Sequence, residues 1–217
     1  MTSPSPRRPR RGSLQSTVVR WVLKPALWIG CLAPAAWLAR GVATLDLGAD
    51  PVKTLTHTTG LTALILLLLT LTVTPARRLS GVDALIALRR PLGLFAFFYA
   101  TVHLLIYAVF DHRFDPAEIA ADIVEHPWVL VGFAAFLILL TLALTSPPPV
   151  VRRLGGRTWN RLHRLIYPAA GLAVLHFFWL VKKDTREPVL YGAILLLILA
   201  SRFFIRPTRR PRTAAPD

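Results

Sequence analysis

Two of the six histidines in this sequence lie at membrane depth inside long apolar runs, where an ionisable side chain is costly unless a partner stabilises it. A third, His163, lies near the start of one of these runs. His103 lies within the run Pro91–Phe110, and His176 lies within Trp159–Lys183. Neutral imidazoles are common metal ligands. Two imidazoles on different helices can bind opposite faces of one haem iron. The residue types therefore predict a b-type haem whose axial ligands are His103 and His176.

The depth of the two histidines favours this pairing. His103 lies about 12 residues, or roughly 18 Å, from the inner start of its run, and His176 about five residues, or roughly 7–8 Å, from the outer end of its run. Both runs are expected to cross outward, so both rings fall in the outer half of the bilayer. Small and aromatic residues near each histidine would suit a porphyrin, although taken singly they also suit helix packing and lipid contact. They are Ala96, Ala100, Gly171, Leu172 and Ala173, with Phe97, Phe98, Tyr99, Phe177, Phe178 and Trp179.

His163 precedes His176 by about 13 residues, roughly 20 Å along a helix, so the two cannot share one haem. A second, inner haem would need another histidine at the inner end of Pro91–Phe110, where Arg89 and Arg90 stand instead. His163 is therefore a candidate for another cofactor, for an iron with an unusual second ligand, or for a hydrogen bond in the interface.

The other three histidines lie at or outside the ends of the apolar runs. His112 and His126 fall in an acidic stretch, where a solvated surface role is expected. His57 stands at the outer mouth of the second run, as an interfacial polar residue or as a contact for a haem propionate or a quinol.

The elements that carry these histidines are predicted to be membrane-spanning helices. Of the 217 residues, 54% are hydrophobic and 17% are charged, and the apolar residues form blocks of about 18–21, long enough to cross a bilayer. The sequence predicts an all-α integral membrane protein, a six-helix bundle at residues 21–205, with basic cytoplasmic tails at 1–20 and 206–217, the first of them disordered. The six predicted spans are approximately Trp21–Leu38, Thr58–Pro75, Pro91–Phe110, Trp128–Thr145, Trp159–Lys183 and Pro188–Ile205.

The charge distribution predicts which side of the membrane each connection faces. The net charge is +15, but about 19 of the 26 Lys and Arg lie in the tails and in alternate connections, which is the positive-inside pattern. Both termini are therefore expected in the cytoplasm, with the lipid bilayer, and no nucleic acid, as the partner of the basic residues. The first run exceeds the apolar region of a secretory signal, so it is interpreted as an uncleaved helix. Cys31, the one cysteine, excludes an internal disulfide.

Most of the predicted six-helix region resembles the MsrQ family of haem-binding membrane subunits, which belongs with the ferric-reductase-like transmembrane proteins. The stretches that carry the resemblance are HTTGLTAL (57–64), LTVTPARRLSG (71–81), LRRPLGLFAFFYATVHLLIY (88–107), VGFAAFLILLTLALTS (131–146), RLGGRTWNRLHRLIY (153–167) and LHFFWLVKKDTREPVLY (175–191).

This resemblance implies a role and a location. His103, His163 and His176 match the histidines associated with haem, and the family is also described as binding FMN. Its members pass electrons from the quinol pool, across the bacterial inner membrane, to the periplasmic molybdopterin subunit MsrP, which reduces methionine sulfoxide in envelope proteins. Reductase catalysis is then expected in the partner, and this chain is expected to be an electron-transfer subunit.

The basic inner connections offer residues for an FMN phosphate, although the same arginines also suffice to set topology. These candidates are Arg77, Arg78, Arg152, Arg153 and Arg157. The sequence has no G-x-G-x-x-G motif, so direct NAD(P)H oxidation by this chain is not expected. Three alternatives stay open: a ferric or metal reductase with another acceptor, a transporter that uses the intramembrane histidines, and a haem-free assembly factor. The scarcity of carboxylates inside the spans weighs against the transporter.

Overall fold

The computed structural model of the chain describes residues 17–181 and 184–204. The predicted tails at 1–20 and 206–217 lie outside these ranges, apart from residues 17–20. Within the described ranges every regular element is helical. The helices are α1 (Lys24–Thr44), α2 (Pro51–Ser80), α3 (Ile86–Ile106), α4 (Pro116–Glu125), α5 (Pro127–Leu144), α6 (Pro148–Leu154), α7 (Gly156–Leu162), α8 (Ile166–Leu180) and α9 (Arg186–Phe204). Short 3-10 turns precede α3 and α8, and π-helical turns precede α1 and follow α3.

Helix boundaries follow local sequence signals. The Asp50 carboxylate accepts a hydrogen bond from the Lys53 amide at the start of α2, and Pro51 fills the first helical position. The helix ends at Gly81, whose φ of 68° is the left-handed conformation that glycine adopts without a side-chain clash. The surface helix α4 begins in the same way at Asp115, whose carboxylate accepts from two backbone amides.

Five helical stretches of the described chain are long and apolar enough to cross a membrane. They are Val19–Thr44, Pro51–Ser80, Asp83–Asp111, Pro127–Leu144 and Arg186–Phe204. Their positions agree with five of the six predicted spans. The short helices α4, α6 and α7 lie in the connections between them.

The fifth predicted span, Trp159–Lys183, whose last two residues lie outside the described ranges, is not confirmed by helix length. It is divided into α7, a 3-10 turn at His163–Leu165, and α8. Pro168 explains the break, because it has no N–H to donate to the carbonyl of Arg164, four residues earlier. The 15 residues of α8 extend about 22 Å, less than the roughly 30 Å of a bilayer core. Nevertheless α8 packs inside the bundle against α5 and α9.

The helices pack most tightly where small and medium side chains meet. Leu71 on α2, Ala96 on α3 and Ala169 and Ala170 on α8 are completely buried. Tyr99 is 1% exposed, and its hydroxyl donates to the Cys31 carbonyl at 2.6 Å while accepting from the Ala35 amide at 3.0 Å. This hydroxyl thus stands between two backbone groups of α1 next to Pro34, and it attaches α1 to the helix that carries His103.

Candidate functional site

The His103 and His176 rings face each other at the centre of the bundle. Their centroids are 6.2 Å apart and their planes cross at 81°. Imidazole nitrogens bind metals at about 2.0–2.1 Å, so two rings on opposite sides of one iron have centroids about 6 Å apart. The observed separation fits this arrangement.

Each ring is held by a hydrogen bond from its other nitrogen. His103 Nδ1 donates to the Thr56 carbonyl at 2.9 Å, and His176 Nδ1 donates to the Trp128 carbonyl at 2.7 Å. Because a carbonyl oxygen can only accept, the proton of each neutral ring lies on Nδ1 and the lone pair lies on Nε2. This is the tautomer in which metal-binding histidines are commonly fixed by a second group.

Two glycines leave the space that the rings occupy. A Cβ added at Gly60 would lie 3.0 Å from Nδ1 and from Cε1 of His103. A Cβ added at Gly132 would lie 2.7 Å from Nδ1 of His176 and 2.8 Å from its Cε1. The two positions are equivalent, since each glycine comes four residues after the accepting carbonyl. The donor set and these side-chain-free positions fit a haem iron held by the two histidines.

The site is built from two helix pairs of the same design. In one pair, α3 carries His103 and α2 supplies the carbonyl and the glycine. In the other, α8 carries His176 and α5 supplies them. Of the predicted aromatic residues, Phe97 stacks on Phe136 at 5.9 Å, while Phe98, Phe178 and Trp179 are among the exposed side chains.

His112 and His126 are partly exposed, and both also have a contact that the sequence did not predict. Both are half-buried and both contact Asp122 on α4. His126 Nδ1 lies 2.8 Å, and His112 Nε2 3.4 Å, from the Asp122 carboxylate, and the Tyr107 hydroxyl donates to it at 2.5 Å. Sequence reasoning missed this outer cluster of Tyr107, His112, Asp122 and His126; its one signal was the spacing of Asp122 and His126, one helical turn apart.

His57 lies in the second turn of α2, with Nε2 3.8 Å from the Glu187 carboxylate and its side chain 49% exposed. Its ring also contacts Phe177, the residue after His176, at a centroid distance of 6.2 Å.

His163 lies at the inner end of α8, away from the facing pair. Its Nε2 is 3.2 Å from the Thr145 hydroxyl, and its ring stacks on Trp159 at 4.0 Å. The Trp159 indole donates in turn to the Thr145 carbonyl at 3.0 Å. These contacts include a hydrogen bond, one of the three roles predicted for His163, and the two cofactor roles stay predictions.

The five arginines predicted to bind an FMN phosphate lie on α2, α6 and α7, where Arg157 on α7 is exposed. Arg77 and Arg78 are half-buried in the last turn of α2, where Arg77 lies 3.9 Å from the Asp83 carboxylate. Arg152 and Arg153 are exposed in the last turn of α6.

The fold and the facing histidines define a class of protein: a multi-pass membrane protein with two imidazoles that face each other inside its helix bundle. The family model described as "Ferric reductase like transmembrane component" matches residues 59–174. Proteins named "Protein-methionine-sulfoxide reductase heme-binding subunit MsrQ" are similar in sequence to this protein over most of its length.

Three of these relatives show how extensive the similarity is. The protein of Xanthomonas campestris pv. campestris strain 8004 is 50% identical over 197 residues, 88% of this chain and 90% of its own length. That of Herminiimonas arsenicoxydans is 43% identical over 196 residues, 89% of this chain and 90% of its own. That of Xanthomonas axonopodis pv. citri is 53% identical over 168 residues, 77% of both chains. The chain belongs to the MsrQ family, within the ferric-reductase-like transmembrane proteins.

Proposed function

We propose that this chain is the haem b membrane subunit of a protein-methionine-sulfoxide reductase system. It takes electrons from the quinol pool, or from a reduced flavin, and delivers them to the periplasmic molybdopterin subunit MsrP. The reductase chemistry takes place in that partner. The single observation that carries the proposal is the pair of facing imidazoles, His103 and His176, each with Nδ1 bound to a helix carbonyl and Nε2 left as a lone pair.

In this proposal His103 and His176 hold the iron through Nε2, and haem supplies one-electron oxidation and reduction when bound. The protein contributes the position and orientation of the two histidine ligands. The Thr56 and Trp128 carbonyls keep each ring in one tautomer and orientation. Helices α2, α3, α5 and α8 surround the pair and limit the access of water.

The relatives are named as a "heme-binding subunit", which supports the assignment of haem as the cofactor. The positive-inside distribution supports an inner-membrane location with six crossings and both termini in the cytoplasm. FMN is proposed on the inner side, with its phosphate near Arg77, Arg78, Arg152 and Arg153, and His163 is proposed as a further contact for an inner cofactor. The clustering of basic residues and the family resemblance support the proposed FMN site and the proposed role of His163.

The haem assignment is tested by the absorption spectrum of the purified protein, oxidised and dithionite-reduced. The wild type should give a reduced b-type spectrum. His103→Ala and His176→Ala should each lose the main haem signal, because an iron that requires two axial nitrogens has lost one. His57→Ala is the control, because it removes an exposed imidazole and leaves both axial ligands in place. The b-type signal should remain in this variant even where His57 contacts a haem propionate. Retention of the full signal in both ligand variants would refute the pairing.

The acceptor is tested separately. The reduced protein is mixed without oxygen with MsrP and a peptide that contains methionine sulfoxide, or with a ferric chelate in place of both. Reoxidation that depends on MsrP and the peptide supports the proposal. Equally fast reoxidation by the ferric chelate alone would favour a metal reductase instead.

A further inference from the structure

We infer that Gly60 and Gly132 are positioning residues for the two iron ligands, because each opens one helix turn so that a backbone carbonyl can orient a histidine. The inference rests on the proposed function, since it treats His103 and His176 as ligands. It goes beyond that function by naming the two residues that set the orientation and strength of the ligands.

The geometry of the first helix pair shows why glycine is needed. In α2 the Thr56 carbonyl serves the amide of residue 60 within the helix, since an α-helical carbonyl accepts from the residue four positions on. The same oxygen also accepts from His103 Nδ1, which lies 2.9 Å away. The Thr59 hydroxyl lies farther from this oxygen, at 3.1 Å, and has a shorter hydrogen bond, of 2.7 Å, to the Leu55 carbonyl. The ring that reaches the Thr56 oxygen must lie over the turn that contains Gly60. A Cβ there would stand 3.0 Å from two ring atoms, closer than ordinary contact.

The second helix pair repeats the arrangement with a tighter fit. Trp128 and Gly132 are four residues apart in α5, like Thr56 and Gly60 in α2. The His176 hydrogen bond is shorter, at 2.7 Å, and the added Cβ would lie 2.7 Å from Nδ1. The same three-part device, a carbonyl, a glycine one turn later and an imidazole, thus occurs on both sides of the site. Its repetition on unrelated sequence, LTHTTG and HPWVLVG, argues that the spacing serves the ring.

The device affects the metal as well as the ring position. An Nδ1–H that donates to a carbonyl makes Nε2 a better electron donor and fixes the ring plane. Displacing the ring from its carbonyl should therefore weaken haem binding about 10- to 100-fold, the usual cost of losing an outer partner of a metal ligand. It should also raise the midpoint potential, because a weaker donor stabilises ferric iron less. The low-spin EPR signal should change too, since it depends on the angle between the two ring planes, 81° here.

The test compares Gly60→Ala and Gly132→Ala with Gly30→Ala. The control glycine lies on α1, which carries neither histidine and neither accepting carbonyl, and a Cβ built there has nothing within 4 Å. Alanine is the better helix former in all three positions, so the substitution itself favours the helix. Haem titration, midpoint potential and EPR should change in the first two variants, most in Gly132→Ala, and stay as in the wild type in the control. Wild-type values in both Gly60→Ala and Gly132→Ala would overturn the inference.

A double variant covers the case in which Gly132→Ala does not fold. In His176→Ala the ring is gone, so Gly132→Ala should add no further loss of the monodisperse, detergent-solubilised protein. If the double variant accumulates as well as His176→Ala alone, the clash is with the ring, as inferred. If it is lost to the same extent as Gly132→Ala, the glycine serves something else and the inference fails. This comparison needs no haem, so it stands even if the wild type binds none, a result that would refute the proposed function instead.

Discussion

Asp122 joins the surface helix α4 to the outer ends of the two helices that flank the site. Its carboxylate accepts from Tyr107, which lies one turn after His103, and contacts His126, whose ring packs on Trp128 at 4.7 Å. Trp128 is the residue whose carbonyl orients His176. The outer cluster therefore connects the neighbourhoods of both ligands at the membrane surface.

The charge state of Asp122 should make the stability of this connection depend on pH. Partial burial acts to raise the pKa of Asp122, but the Tyr107 hydrogen bond and the positive charges of His126 and His112 outweigh it, and the pKa is lowered. A carboxyl whose pKa is lower in the folded state stabilises the fold at pH values above its unfolded pKa, about 3.9. That contribution disappears as the pH falls through the lower, folded value.

We therefore expect Asp122→Asn to lower Tm at neutral pH, and the difference from the wild type to shrink as the pH falls below about 4. Hydrogen bonds to charged groups contribute about 1.5–3 kcal/mol, and each kcal/mol shifts Tm by roughly 2–4 °C in a chain of this size. Thermal unfolding in detergent between pH 3 and 7 measures the difference. Glu118→Gln, on the exposed side of the same helix, is the control. A difference that is constant across this range would contradict the argument.

At the level of single residues, the sequence predicted that His103 and His176 form a pair, but it did not predict the groups that hold their rings. An imidazole inside an apolar run is visible because burying it has a high cost. The acceptors on Thr56 and Trp128 are backbone carbonyls, which every residue has, and Gly60 and Gly132 are ordinary helix glycines until the facing helix is known. The outer cluster was missed for a similar reason, since contact between Tyr107 and Asp122 depends on how α4 folds back.

Pro75, inside α2, shows how a neighbouring helix compensates for a lost backbone hydrogen bond. Pro75 has no N–H, so the Leu71 carbonyl, four residues earlier in α2, loses its helical donor. Arg202 on α9 replaces that donor, with Nη2 2.7 Å from the Leu71 oxygen. The same guanidinium donates to the Tyr167 hydroxyl and lies over its ring, so one side chain links α9, α2 and α8.

This replacement can be measured with a double-mutant cycle. Arg202→Met should destabilise the protein by about 1–3 kcal/mol, because the buried Leu71 carbonyl loses its partner. In the Pro75→Ala background the alanine amide restores the helical donor, so the same substitution should cost less, by about 0.5–3 kcal/mol. Unfolding free energies of the four proteins provide the coupling.

Tyr167→Phe is the matched control for this cycle, because it removes a different Arg202 partner and leaves the Leu71 carbonyl alone. Its cost should be equal with and without Pro75. An Arg202→Met cost that is also unaffected by Pro75→Ala would show that the arginine does not compensate for the proline.

The apolar runs of the sequence predicted where the helices lie, but they did not predict that the helix containing His176 is interrupted. A run of apolar residues indicates burial in lipid or protein, so five of the spans were located correctly. The run that contains His163 and His176 is equally apolar, but Pro168 near its middle interrupts the ladder and leaves a 15-residue α8. Composition alone does not distinguish an unbroken span from one that is divided and supported by its neighbours.

For the whole molecule, the direction in which each helix crosses determines whether the facing histidines lie near the outer surface. The described outer connections contain most of the acidic residues, including the outer cluster, and the inner ones contain the paired arginines at the ends of α2 and α6. This asymmetry predicts that α7 begins inside and that the segment after α8 is outside, which requires α8 to cross despite its length. The position of α8, packed between α5 and α9, supports this crossing, because the neighbouring helices shield the short helix from lipid.

Cysteine labelling tests that crossing directly. Asp184→Cys, after α8, should react in intact cells with a maleimide that does not cross the inner membrane, because the segment faces outward and Asp184 is exposed. Arg157→Cys, in α7, should react only after the membrane is opened. The wild type supplies the background control, since its one cysteine, Cys31, is 4% exposed within α1 and should stay unlabelled in both conditions.

Labelling of both variants from the same side would mean that α8 does not cross. The His176 end of α8 would then lack its route to the outer leaflet, and delivery of electrons to a periplasmic acceptor would lose its geometric basis.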